Sequence, residues 1–138
     1  MNIIGVPSTA VRTIWPHVEE YFASFEERAQ GEVTAEELLS LVEAQHRQCW
    51  IAADNKKVWA CALTRVDNNP LGTVQLDFCA GEDRDKWRDK LVHEIERWAA
   101  HRGAGRVRII CRPGWTKELR KLGYRETHRV LEKEMGNG

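Results

Sequence analysis

A chain of 138 residues with 42% hydrophobic and 30% charged content has the usual size of one domain and is too short for two separate cores, so a single domain over residues 1–138 is expected. Its formal net charge of +0 gives no overall reason to expect a nucleic-acid or membrane partner. No window approaches the roughly 18 apolar residues of a membrane span, and no charged segment leads into an apolar one at the N-terminus, so the expected location is the cytoplasm.

Asn2 to Val6 reads as a short strand, and Pro7-Ser8-Thr9 follows as a turn with hydroxyls able to cap a helix. Val11, Ile14, Val18, Phe22 and Phe25 recur at three- and four-residue steps, which predicts a first helix with one apolar stripe. Pro16 either bends that helix or marks its first turn. Thr34-x-x-Glu37 fits a capping box, and Val33 can staple against Leu38, so a second helix starts at Thr34.

From Gln48 the period becomes that of strands. Cys49 to Ala53 is broken by the polar turn Asp54-Asn55-Lys56, and Val58 to Val66 resumes in β-prone residues, which predicts an antiparallel hairpin. A third long strand, Thr73 to Cys79, alternates Val74, Leu76 and Phe78 on one face with Thr73, Gln75, Asp77 and Cys79 on the other. Beyond the loop Ala80 to Lys86, the stripe Trp87, Leu91, Ile95 and Trp98 predicts an amphipathic helix that stops at Gly103. Val107 to Cys111 is then a short apolar strand, Trp115 to Leu122 a brief helix closed by Gly123, and Tyr124 to about Lys133 a last strand. The strands around the helix Trp87 to Arg102 should be parallel neighbours, because that helix is long enough to carry the crossover.

Charge is unevenly spread. Residues 1–46 hold eight glutamates against Arg12 and Arg28, whereas residues 102–138 hold ten Lys or Arg against four Glu. The basic run Arg106, Arg108, Arg112, Lys117, Arg120, Lys121, Arg125 and Arg129 suits phosphate, but no aromatic residues interleave to make a stacking platform for nucleic acid. Cys49, Cys61, Cys79 and Cys111 stand singly in apolar runs without zinc or redox spacing, and read as reduced core residues. The five histidines are scattered, without metal-ligand spacing, and read as surface residues.

The order strand, two helices, three antiparallel strands, helix, strand, short helix, strand resembles the GNAT N-acetyltransferase plan over nearly the whole chain. The stretch Gly114-Trp115-x3-Leu119-x2-Leu122-Gly123-Tyr124, with Leu131-Glu132-Lys133 in the closing strand, looks like the tail of small GNAT-like proteins often carried by bacteriophages. The resemblance implies an α/β (α+β) fold with a mixed, mostly antiparallel sheet flanked by helices. It also implies acetyl-CoA as cofactor, an amine acceptor as partner, and transfer of acetyl between them.

In that family acetyl-CoA lies where the strands corresponding to Thr73–Cys79 and Val107–Cys111 diverge, with its pyrophosphate at the N-terminus of the following helix. Carried over, this points to Phe78, Cys79, Ala80, Gly81, Arg84, Lys86, Trp87, Arg88 and Arg112. Free N–H groups and the positive end of a helix attract phosphate for general reasons. The usual Arg/Gln-x-x-Gly-x-Gly/Ala signature is reduced here to Gly81-Glu82-Asp83-Arg84-Asp85-Lys86-Trp87-Arg88, with one glycine and three acids. The family's tyrosine on the short helix is replaced by Leu119, leaving Tyr124 as the nearest phenol. Asp77, directed with Gln75 and Cys79 away from Val74, Leu76 and Phe78, is the leading candidate for general base, with Glu82 second.

Two functional readings follow. In one, the protein transfers acetyl from acetyl-CoA to an amine through a degenerate cofactor loop. In the other, it is a GNAT-fold protein without catalysis that serves as a structural or interaction module, as a virion or host-modulating component or a homo-oligomer.

Overall fold

Several helix boundaries fall where the sequence supplies a signal. The computed structural model describes residues 1–136. A 3-10 turn at Ser8–Ala10 precedes helix α1, Trp15–Ala29, and Pro16 occupies its first turn, where its missing N–H costs nothing. Thr34 caps α2, Ala35–Glu43, by accepting from the Glu37 amide at 3.1 Å. Helix α3, Arg88–His101, ends on Gly103 at φ +80, with the Ala104 amide on Ala99 O and the Gly103 amide on Ala100 O. Helix α4, Thr116–Lys121, closes the same way on Gly123 at φ +93. Only glycine adopts that left-handed conformation at little cost.

The strands are β1 Asn2–Val6, β2 Gln48–Ala53, β3 Val58–Asp67, β4 Thr73–Gly81 and β5 Arg106–Ile109. They form one sheet in the order β1-β2-β3-β4-β5, antiparallel except for the parallel pair β4–β5. The crossover helix α3 thus connects parallel neighbours, as expected from its length. This is the mixed, mostly antiparallel sheet flanked by helices.

Two cores sandwich the sheet. Val18, Tyr21, Phe22 and Phe25 of α1 pack with Leu38, Leu39 and Val42 of α2 against Cys49, Ile51, Cys61 and Leu63. On the opposite face, Trp87, Leu91, Ile95 and Ala99 pack on Trp50, Ala62, Val74 and Leu76. Trp98 is only partly buried at the margin of this second core, edge-on to Trp50 with ring centroids 5.7 Å apart.

Four expectations need correction. The register of β3 on β4 slips between Leu63↔Phe78 and Thr64↔Leu76, so Asp77 is an extra residue without a partner across the ladder. Such a bulge reverses the alternation beyond it. Phe78 therefore joins the α1 and α2 core, while Val74 and Leu76 face α3. The last strand is absent: residues 125–136 are exposed and carry no strand pairing. A β-prone sequence becomes a strand only when an edge accepts its hydrogen bonds, and here none does. Cys111 is exposed, because β5 ends two residues before it, whereas Cys49 and Cys61 are buried and Cys79 is half-buried. Trp98, placed on the buried stripe of α3 by the sequence reading, stands at its edge, because Ala99 takes the inward position.

Candidate functional site in the fork of the sheet

The parallel strands β4 and β5 stay together for only four residue pairs, from Thr73↔Arg106 to Leu76↔Ile109. The last bond between them runs from the Ile110 amide to Leu76 O at 2.9 Å. Beyond it β4 bulges at Asp77 and continues to Gly81, while Pro113 starts a 3-10 turn that carries the other arm away. The two arms form a fork, and the backbone of β4 from Asp77 to Gly81 has no strand on that side.

An arginine outside the predicted site residues reaches into this fork. Arg28, the sole Lys or Arg of α1, donates from Nη1 to Cys79 O at 2.5 Å. Burial, and then the neighbouring charge of Arg112, lower the Arg28 pKa, so both guanidinium groups lie in one region. The only sequence signal for Arg28 was its isolation in an acidic helix. Burial pushes the Cys79 thiol up to about 12, against the opposing pull of Arg28. It stays protonated near neutral pH and is no nucleophile there.

The segment leading into α3 is built by close approach and ion pairs. A Cβ on Gly81 would stand 2.5 Å from Ala60 Cβ and 2.6 Å from Trp59 O, so only glycine fits. Asp83, at φ +53, starts the single 3-10 turn Arg84–Lys86, and neither this turn nor α3 has a side-chain cap. Trp87 is buried and donates its indole N–H to Glu82 O at 2.7 Å.

Of the cations there, Arg88 is buried and holds Asp85 at 2.9 Å, Asp89 at 3.2 Å and Glu118 at 3.4 Å. It ties α3 to α4 and faces no open space. Lys86 pairs with Asp83 at 3.5 Å and lies over the Trp59 ring, and Lys57 neutralises Glu82 at 2.7 Å. Arg84, over Gly114, and Arg112 make no ion pair among the described residues. They are the cations of the fork left for an anion.

Asp77 projects from the bulge to the α1 and α2 side, where Arg47 grips both its oxygens at 2.6 and 3.1 Å. Both side chains are mostly buried, and the Arg47 guanidinium also lies over the Phe78 ring at 5.2 Å. Phe78 and Ala80 pack in the core beneath it. Tyr124 stands elsewhere: its hydroxyl donates to Glu96 on α3 at 2.8 Å. Burial, then that hydrogen bond, raise its pKa, so it keeps its proton. Leu119, at the position where the resemblance would put a phenol, is the one buried residue of α4.

All five histidines are exposed. Among the described residues no group of three His, Cys, Asp or Glu side chains is placed to hold a metal, and no helix is long and apolar enough to cross a membrane. An open hollow of about 560 Å³ lies at the other end of the sheet, lined by His46, Arg47, Gln48, Trp98 and Arg102 among others. It shares Arg47 with the Asp77 ion pair at the bulge.

No family model matches the sequence, and no curated protein matches it. Solved structures do match in shape. A probable acetyltransferase superposes with a TM-score of 0.71 at 14% identity, covering 100% of this chain and 99% of that one. Ribosomal-protein-alanine N-acetyltransferase from Brucella melitensis biovar Abortus 2308 gives 0.68 at 12% identity, over 98% and 99% of the two chains. An aminoglycoside acetyltransferase from an uncultured soil metagenomic sample, in complex with sisomicin, gives 0.69 at 11% identity, over 97% and 95%. The chain has the GNAT acetyltransferase fold. At this level of identity the likeness establishes the fold, and the activity has to be argued from the site.

Proposed function

We propose that this protein is an N-acetyltransferase whose fork takes acetyl-CoA and presents its acetyl group to a primary amine. The observation that carries this reading is the divergence of β4 from β5 after Leu76 and Ile109. It leaves a polar backbone edge, Asp77 to Gly81, that leads straight to an uncapped helix start. The edge offers amides and carbonyls to an amide-rich chain, and the helix start with Arg84 and Arg112 offers positive charge to phosphates. Phe78, Cys79 and Ala80 form the wall of this groove, and Gly81 brings the backbone close at its end.

The acyl donor supplies an activated acetyl group. The chain's own residues bind and orient it and manage the proton of the attacking amine. Asp77, at the bulge, is the better candidate for that proton: Arg47 takes one lone pair on each of its oxygens and leaves others to accept, whereas the Tyr124 hydroxyl already gives its only proton to Glu96. Arg47 positions the Asp77 carboxylate. Glu19, Glu20, Glu26 and Glu27 make α1 acidic, which favours a cationic acceptor.

Two observations favour a second reading, in which the fold serves as a binding or structural module without catalysis. Arg28 already occupies the Cys79 carbonyl, and Arg88 is withdrawn into a carboxylate cluster. Calorimetric titration with acetyl-CoA separates the two. Saturable binding below millimolar concentration, abolished by Arg84→Glu with Arg112→Glu, together with release of free CoA thiol on adding a primary amine, supports the transferase. No heat at millimolar acetyl-CoA overturns it in favour of the module.

A further inference from the structure

Four segments meet around the open hollow of about 560 Å³: the end of β1, the turn from α2 into β2, the end of β3 and the last turn of α3. A space of that volume falls within the usual range of small-molecule sites.

Its charge is one-sided. The chain has 21 Asp and Glu residues, yet none lines the hollow, whereas His46, Arg47 and Arg102 do. Asp67 lies between the lining residues Val66 and Asn68 but is not one of them, and Glu43 at the end of α2 is held by Arg12 at 2.7 Å. Arg47 is neutralised by Asp77, but Arg102 makes no ion pair among the described residues. Its guanidinium lies over the Trp98 ring, 4.9 Å from the centroid. One positive charge thus stands uncompensated in a wall free of carboxylates.

The helix ends that border the hollow would ordinarily oppose an anion, because the last carbonyls of a helix carry partial negative charge. Here those carbonyls are occupied. Ser40 O accepts from the Ala44 amide at 2.9 Å, Leu41 O from the His46 and Arg47 amides at 2.9 and 3.2 Å, and Val42 O from the Gln45 amide at 3.0 Å. Gln45 closes this turn at φ +64, a left-handed conformation that glycine takes more readily. At the end of α3, Trp98 O accepts from the Arg102 amide at 3.1 Å and Ala99 O from the Ala104 amide at 2.9 Å.

A donor is also held in place. Trp50 donates its indole N–H to Thr64 Oγ1 at 3.0 Å, and that hydroxyl donates to Gln48 Oε1 at 2.9 Å. Trp50 and Thr64 are buried, so the relay is shielded from water. It commits the carbonyl end of the Gln48 amide to the sheet. The NH2 end has no partner among the described residues and is left for the hollow that Gln48 lines. A donor fixed from behind in this way loses little freedom on binding.

We propose that this hollow is a ligand site distinct from the acetyl-CoA fork and takes a small organic anion, its oxyanion head on Arg102 and the Gln48 amide. Val6, Pro7 and Val66 offer apolar wall to the body of such a ligand. A guanidinium beside an amide N–H suits a phosphate or a carboxylate head alike. The site stands whether or not the fork transfers acetyl.

Calorimetry of the full chain with phenyl phosphate and with benzoate tests this. At least one should bind saturably at low millimolar concentration or below, and the one that does identifies the head group. Arg102→Gln and Gln48→Glu should each weaken that binding about tenfold. Arg102 is exposed, and Gln48→Glu keeps an acceptor oxygen for Thr64, so both variants should melt near the parent. Arg97→Gln, on α3 outside the hollow, and Arg84→Glu with Arg112→Glu in the fork should leave the binding unchanged. Absence of saturation by either ligand at tens of millimolar overturns the proposal. So does full binding by Gln48→Glu, and so does binding lost in the fork variant but kept in Arg102→Gln, which would put the anion in the fork.

Discussion

Arg47 holds both carboxylate oxygens of Asp77, at 2.6 and 3.1 Å, across the bulge that opens the sheet. The side chains are only 13% and 14% exposed, so each neutralises a charge that water reaches poorly. Removing one partner strands the other, whereas removing both does not. Asp77→Ala and Arg47→Ala should each lower stability by about 1–3 kcal/mol, the cost of leaving a mostly buried polar group unpaired, and the double variant by clearly less than their sum. Urea unfolding of the four proteins in the cycle measures the coupling. Asp77→Asn, which keeps the shape, should in addition reduce acetyl transfer while leaving acetyl-CoA binding within twofold.

Trp87 and Trp98 lie on the same helix but differ in depth. Trp87 is 1% exposed, with its indole N–H on Glu82 O, and Trp98 is partly buried beside Trp50 and Arg102. Trp87→Ala should cost about 3–5 kcal/mol, the usual range for emptying a buried aromatic site. Trp98→Ala should cost less than half as much. Thermal melting of the two variants checks the order, and equal losses would mean that the edge position of Trp98 is wrong.

Asp83 allows the charge of the loop to be changed without rebuilding it. Its φ of +53 suits asparagine as well as aspartate, and its ion pair with Lys86 is exposed at 3.5 Å. Asp83→Asn should release Lys86 and tighten acetyl-CoA binding severalfold at low salt, with the gain shrinking as salt screens it. Asp85→Asn should behave differently, because Asp85 holds the buried Arg88. It should lower the melting temperature and leave binding no better. Calorimetry at two ionic strengths reads both effects.

Asp54 in the β2–β3 turn provides a pH signature. The Trp59 indole, then the Lys56 and Lys57 amides, hold its carboxyl at about 2. The amides lie at 2.9 and 3.1 Å, whereas the Trp59 N–H lies outside hydrogen-bonding geometry, so the amides are the firmer cause. A depressed folded pKa stabilises above the unfolded value near 4 and is lost as pH falls through the folded one. The parent should therefore lose its advantage over Asp54→Asn between about pH 4 and about pH 2. Acid unfolding followed by circular dichroism gives the comparison, and parallel curves through that window would contradict it.

Much of the fold was legible in the sequence because its signals act over a few residues. Thr34 with Glu37 starts α2, Gly103 and Gly123 stop α3 and α4, and the turn at Asp54 joins β2 to β3. The length of α3 also required the parallel pairing of β4 with β5. These are consequences of capping, left-handed glycine and strand twist, which need no knowledge of distant contacts.

Tertiary structure decided the rest. One extra residue on β4 is invisible as a pattern, because a bulge exists only relative to the partner strand, and it moved Phe78 to the opposite core and aimed Asp77 at Arg47. Arg28 entered the fork, and Arg88 left it, through partners 51 and 30 residues away along the chain. The segment after Tyr124 has the composition of a strand, yet an extended backbone is stable as a strand only where another edge receives its hydrogen bonds. Local sequence sets what a segment can become, and long-range pairing sets which of those forms it takes.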